Sequence, residues 1–179
     1  MQDVTRRAVP RPTVARQIAV GVAMLAAVSL VAWGGSLAST TNIDGWYAEA
    51  HKAPWSPPNA VFGPVWSVLY ALIALAGWLI WRSGARSDAP NAAPGVLRLF
   101  VTQLVLNALW TPVFFAGYPL MGAAAWWVAL AIMVALMASV ILLGITAAPL
   151  SRIASWIMIP YLLWLIFATS LNVAVIALN

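Results

Sequence analysis

Cysteine is absent from the 179 residues, histidine occurs once and acidic residues number four. Without cysteine there is no disulfide, no iron–sulfur cluster, no thiolate metal site and no thiol nucleophile. Charge of either sign is scarce: 7% of residues are charged and 64% are hydrophobic, with a mean hydropathy of +0.93. A soluble domain of this size needs a largely polar exterior. Lipid is therefore the solvent that fits this composition.

What is present is a set of long apolar runs. Ile18 to Ala38, Ala60 to Trp81 and Ile153 to Leu178 are each long enough for one span of about 20 residues, and the charge-free stretch from Leu99 to Leu150 holds two more. The runs are continuous, whereas barrel strands alternate apolar and polar residues. The expected fold is an all-α integral membrane protein, a bundle of five transmembrane helices. Residues 1–16 form a flexible basic tail and 17–179 the membrane domain, with helices at 17–39, 59–81, 96–116, 120–146 and 152–177 and a lid loop at 40–58.

The formal charge of +5 does not read as a nucleic-acid surface, because the arginines are scattered among loops and helix ends. Arg6, Arg7, Arg11, Arg16, Arg82, Arg86, Arg98 and Arg152 fall in the N-terminal segment and the second and fourth connections. The first and third connections carry only Lys52. By the positive-inside rule the N-terminus is cytoplasmic, and the first loop and C-terminus are outside. Arg6-Arg7 ahead of an apolar run also fits an export signal, although the run is longer than a usual signal core and reads better as the first span. The arginine tail also suits contact with anionic lipid headgroups.

Polar residues inside the spans mark where function can sit. Ser29, Trp33, Ser36 and Thr40 share one face of the first helix, a small and weakly polar stripe that points to helix–helix packing. On the third helix Gln103, Asn107 and Thr111 repeat every fourth residue, with Trp110 and Phe114 beside them. An unpaired amide in hydrocarbon is costly, so this stripe must face other helices or a cavity. On the fifth helix Tyr161, Trp164, Ala168 and Asn172 share a stripe. The first loop holds Asp44, Glu49 and His51, whose spacing matches no recognised metal site. No charged group lies at membrane depth within a span, which argues against a proton-coupled transporter. Nothing is placed to activate Ser29, Ser67 or Ser170 as a hydrolytic nucleophile.

The eleven tryptophans recur in ordered phrases. These are Trp46-Tyr47 … Pro54-Trp55-Ser56-Pro57-Pro58 … Phe62-Gly63-Pro64-Val65-Trp66 … Tyr70, then Gln103 … Asn107 … Trp110-Thr111-Pro112 … Phe114-Phe115, and finally Pro160-Tyr161 … Trp164 … Phe167-Ala168-Thr169 … Asn172. Together they resemble the TspO/MBR family, the tryptophan-rich sensory and translocator (peripheral benzodiazepine receptor) proteins, over roughly Gly34 to Asn172. The resemblance implies a five-helix bundle, often a homodimer, with a pocket under the first loop that binds porphyrins and, in some members, sterols or aromatic drugs.

Carried over residue by residue, the resemblance puts Trp66, Asn107, Trp110, Trp164 and Ala168 in the pocket wall, and Trp46, Trp55 and Pro57 in the lid. A tetrapyrrole needs aromatic faces, for which Trp66, Trp110, Trp164 and Phe167 are candidates, and a few polar groups, for which Asn107, Gln103, Tyr70 and the Tyr161 stripe are candidates. The same residues also suit plain packing of a small bundle.

Two positions depart from the family. Ala60 stands where a Trp is common, and Leu171 is followed by Val173 and Ala177 where the animal sterol motif needs Tyr and a basic residue. Three functions remain open: a porphyrin or haem sensor or scavenger, a lipid or small-molecule carrier, and a light-dependent porphyrin-degrading enzyme using Trp66 and Trp164. No resident cofactor or metal is required, and His51 offers haem at most one axial ligand. The membrane implied by the resemblance is a bacterial plasma membrane, an outer membrane being the alternative.

Overall fold

The computed structural model describes residues 11–85, 91 and 93–179. Most of the basic tail, with Arg6 and Arg7, and the Arg86 and Asp88 positions lie outside the described residues. Five long helices form: α1 (Val14–Ile43), α3 (Phe62–Gly84), α4 (Pro94–Phe115), α6 (Ala124–Ala147) and α7 (Arg152–Leu178). Two single turns, α2 (Trp46–Glu49) and α5 (Tyr118–Met121), sit in the connections at one end, and a 3-10 turn at Asn59–Val61 leads into α3. Among the described residues there is no strand.

The helices run past their apolar cores because polar side chains close their ends. Thr13 caps α1, its hydroxyl accepting from the Arg16 amide at 3.3 Å. At the far end Thr40 Oγ1 donates to the Ser36 carbonyl at 2.6 Å and Asn42 Nδ2 to that of Ala38 at 2.9 Å, extending α1 to Ile43 rather than residue 39. At about 1.5 Å per residue this 30-residue helix spans about 45 Å and overshoots a hydrocarbon core of about 30 Å. Ser151 caps α7 by accepting from the Ala154 amide. Pro64 falls in the first turn of α3, where no donor is lost. Pro112 lies one turn from the end of α4, and its own carbonyl accepts from Ala116 and Gly117 as the helix terminates. The third connection is not a simple turn: α5 is followed by Gly122 at φ +58°, a left-handed conformation suited to glycine, and α6 starts only at Ala124.

Packing closes the helices into a ring in the order α1, α3, α7, α6, α4 and back to α1. Successive spans alternate in direction, so a ring of five must contain one parallel pair. That pair is α1 and α4, and Gly35 allows α1 to approach Thr111 closely. The centre is filled by Ile73, Ile80, Phe100, Met133, Leu143 and Leu165. Phe100 occupies the space a side chain at Gly77 would need, so glycine is required there.

The first helix packs differently from its sequence expectation. Ser29, Trp33, Ser36 and Thr40 all face outward, Trp33 being 64% exposed. The face that packs is instead the one bearing Gly21, Met24, Val28 and Gly35, because the two glycines admit Trp78 and Thr111 to van der Waals contact.

Arg11, Arg16, Arg82, Arg98 and Arg152 all flank helix ends on one side of the bundle, while Lys52 lies on the other. Arg16 and Arg82 lie over the Trp81 and Trp78 rings, at 5.7 and 5.0 Å from their centroids. Such cation–ring contacts suit a membrane interface. The two sides are called the arginine end and the lid end below.

Candidate functional site

The polar stripe of α4 meets α3 and α7 inside the bundle. The Tyr70 hydroxyl donates to Asn107 Oδ1 at 2.9 Å, Asn107 Nδ2 donates to the Tyr161 hydroxyl at 2.8 Å, and that hydroxyl donates to Gln103 Oε1 at 3.2 Å. Gln103 and Tyr161 are 0% exposed and Asn107 4%. Burial at this depth is tolerable because each group hands a hydrogen bond to the next. The chain ends on Gln103 Nε2, which has no acceptor.

Aromatic rings surround the outer end of this chain. Trp66 stacks on Tyr70 with centroids 5.2 Å apart, and meets Trp164 edge-on at 6.4 Å. Trp164 also contacts Phe62 at 5.8 Å and Phe167 at 5.4 Å. Ala168 is buried one turn further along α7. The indole nitrogens of Trp164 and of Trp110 are buried without a partner. Trp66, Tyr70, Tyr161, Trp164, Phe167 and Ala168 are thus brought together on α3 and α7, with Gln103, Asn107 and Trp110 facing them from α4.

Trp46 goes elsewhere. Its ring packs among Tyr47, Phe114, Phe115, Tyr118 and Trp126, and its Nε1 donates to the Phe115 carbonyl at 3.0 Å. This second cluster ties the first loop to α4, α5 and α6, and Trp110 packs against both clusters. Asn172 contributes here too, donating to the Trp126 carbonyl at 3.2 Å. Burial pushes the Tyr47 phenol above its usual pKa, with a Ser56 hydrogen bond acting against that shift, so Lys52 lies 4.6 Å from the centre of a neutral ring.

The rest of the loop lies over the first cluster. Ala53 packs with Leu171 and Ala174, next to Phe62 and Phe167. Trp55 is 57% exposed and its Nε1 donates to Ser170 Oγ at 3.2 Å. Pro57 follows it, half-buried. His51 is exposed, its main chain paired with the Asn179 side chain through bonds of 2.9 and 3.0 Å. Among the described residues no three His, Asp or Glu side chains group as metal ligands. Phe62, Tyr47 and Trp126 are the residues the sequence reading left out of any site. Phe62 was findable, since it lies four residues before Trp66, whereas Tyr47 and Trp126 depend on the path of the loop.

Two grooves of about 510 and 500 Å³ lie away from these clusters, between α6 and α7 and between α1 and α3, both lined mainly by apolar side chains.

The sequence is similar to those of one family of proteins. The TspO/MBR family profile matches residues 23–178. The "Tryptophan-rich protein TspO" of Archaeoglobus fulgidus is 36% identical over 159 residues, covering 88% of this chain and 95% of that protein. The human "Translocator protein" is 35% identical over 136 residues, covering 73% and 72%. The "Tryptophan-rich sensory protein" of Cereibacter sphaeroides is 32% identical over 139 residues, covering 76% and 78%. With its five apolar spans and a family match over most of its length, the chain is an integral membrane protein and belongs to the TspO/MBR family.

Proposed function

We propose that this chain binds a tetrapyrrole, porphyrin or haem, as a sensor or scavenger, with the ring inserted beneath the first loop against Trp66, Tyr70, Trp164 and Phe167. The observation that carries this reading is the half-buried ring set of Trp66, Tyr70, Trp164 and Phe167, within which Trp164 Nε1 is a buried donor without an acceptor; Trp110 Nε1 and Gln103 Nε2 on α4 also lack one, as does Trp126 Nε1 in the other cluster. Buried polar groups are nearly always paired, and an unpaired one costs about 1–3 kcal/mol. A flat apolar ligand with peripheral carboxylates supplies both the aromatic contact and the missing acceptors. Haem would be held by its faces and edges, since the single imidazole, His51, lies at the outer rim of the lid.

The test is titration of the detergent-purified chain with protoporphyrin IX in the dark, followed by tryptophan fluorescence. Saturable quenching is expected, and Trp164→Phe weakens it about fivefold, by the ~1 kcal/mol of one aromatic contact, with the melting temperature unchanged. Unchanged affinity in that variant removes Trp164 from the site. Absence of saturable quenching in the parent chain moves the reading to a lipid or small-molecule carrier. Repeating the titration under illumination reads the degradation activity, for which Trp66 and Trp164 are suitably adjacent.

The same reading has the N-terminus in the cytoplasm of a bacterial cell, the lid outside and the chain paired as a homodimer. The arginines gathered at one end support the orientation. Gly45→Cys is expected to react with an impermeant thiol reagent on intact cells, and reaction only after lysis would reverse it.

A further inference from the structure

We propose that the groove between α6 and α7 at the arginine end is a binding site for an anionic phospholipid of that leaflet, with the phosphate on Arg152 and an acyl chain lying between the helices. The groove of about 510 Å³ is sorted along its length as an amphiphile is. Its mouth is formed by Ala148, Arg152 and Ser155, and towards the membrane centre only apolar side chains such as Val140, Ile159 and Leu162 line it. Arg152 is the first residue of α7 and Leu162 lies ten positions on. At 1.5 Å per residue the groove is about 15 Å deep, half the ~30 Å hydrocarbon thickness and therefore the depth of one leaflet. Trp156, 69% exposed, stands beside the mouth one turn below Arg152, where an indole meets the headgroup boundary.

Charge selects the occupant. Among the described residues the only acidic side chains are Asp44 and Glu49, both at the lid end, so among those residues Arg152 has no carboxylate partner. Arg16 and Arg82 lie over tryptophan rings, and Arg152 has no such ring contact. Of the two grooves described, only this one is lined by a cationic group, the Arg152 guanidinium, and a lipid phosphate is a forked acceptor that fits it. The α1–α3 groove is nearly the same size, about 500 Å³, but Val14, Gln17, Ile18, Leu75 and Trp78 bring no charge to it. It is the internal control: a lipid there is held without preference for its headgroup.

The experiment uses the full chain in phosphatidylcholine vesicles doped with a phosphatidylglycerol whose acyl chains are brominated, compared with brominated phosphatidylcholine at the same fraction. Bromine quenches nearby indoles, and Trp156→Phe identifies the part of the signal that comes from the groove. One basic group near the surface should favour the anionic lipid about fivefold. This preference is expected to vanish in Arg152→Gln, to persist in Arg152→Lys, and to be lost in Ser155→Phe, which blocks the mouth while keeping the charge. Circular dichroism confirms that each variant keeps its helix content. Soluble glycerol phosphate is expected not to displace the lipid, and displacement by it overturns the lipid assignment. Equal quenching by both lipids, or a preference that survives Arg152→Gln or Trp156→Phe, overturns the proposal. None of these results bears on porphyrin binding at the opposite end.

Discussion

The two aromatic clusters at the lid end are built from the same residue types and differ in how closed they are. Around Trp46 the rings of Tyr47, Phe114 and Trp126 are buried, and the Trp46 indole is tied to a backbone carbonyl. Around Trp164 the rings of Phe62, Trp66, Tyr70 and Phe167 are half-buried, and the Trp164 indole has no acceptor. The first cluster is a joint that fixes the loop to the bundle. The second is more open, and it adjoins the buried Tyr70–Asn107–Tyr161–Gln103 chain. The state of the indole N–H alone does not separate the two clusters, since Trp126 in the closed one also lacks an acceptor; the burial of the neighbouring Tyr47, Phe114 and Trp126 rings does.

The sharpest way to break this comparison is Trp46→Ala. Removing a ring with five aromatic neighbours should cost about 3–5 kcal/mol, seen as a large drop in the detergent melting temperature. Porphyrin affinity of the fraction still folded at low temperature should stay within about twofold, because Trp46 makes no ring contact with the Trp164 cluster. An unchanged melting temperature with lost affinity would make the first cluster part of the ligand surface.

A smaller effect is expected from Tyr161→Phe. The ring is retained, but Asn107 Nδ2 loses its acceptor and Gln103 Oε1 its donor. Leaving buried groups unpaired costs about 1–3 kcal/mol, so the variant should melt lower than the parent chain and higher than Trp46→Ala. A neutral result would mean that the chain of hydrogen bonds does not stabilise the bundle.

How much of this could be read from residues alone differs between fold and site. Five spans were legible because a charge-free run of sufficient length has few alternatives in lipid. The ends of α1 were not, since Thr13, Thr40 and Asn42 extend it through side-chain bonds that a hydropathy pattern does not register. Periodicity put Gln103 and Asn107 on one stripe and Tyr161 and Trp164 on another. It could not say that the two stripes face each other across the bundle, because spacing within a helix carries no information about ring order. The resemblance assigned Trp46 to the lid, and the loop does carry it. Its turn at Trp46–Glu49 directs the side chain towards α4, α5 and α6 rather than over Trp164.

The finest test of the comparison concerns the lid where it crosses the Trp164 cluster. Trp55 donates to Ser170 Oγ, and Ser170 in turn donates to the Phe167 carbonyl at 2.7 Å. Because the Trp55 ring is largely exposed, Trp55→Phe removes chiefly that hydrogen bond, worth about 0.5–1.5 kcal/mol. The bond belongs to the closed lid whether or not a ligand lies beneath it, so its loss destabilises the free and occupied closed states alike. Opening then becomes easier for entry and for exit, and stopped-flow fluorescence should find both porphyrin rate constants raised about two- to tenfold, with Kd nearly constant. A change in Kd carried by the dissociation rate alone would mean that Trp55 touches the ligand, and the boundary between joint and site would have to be redrawn to include the lid.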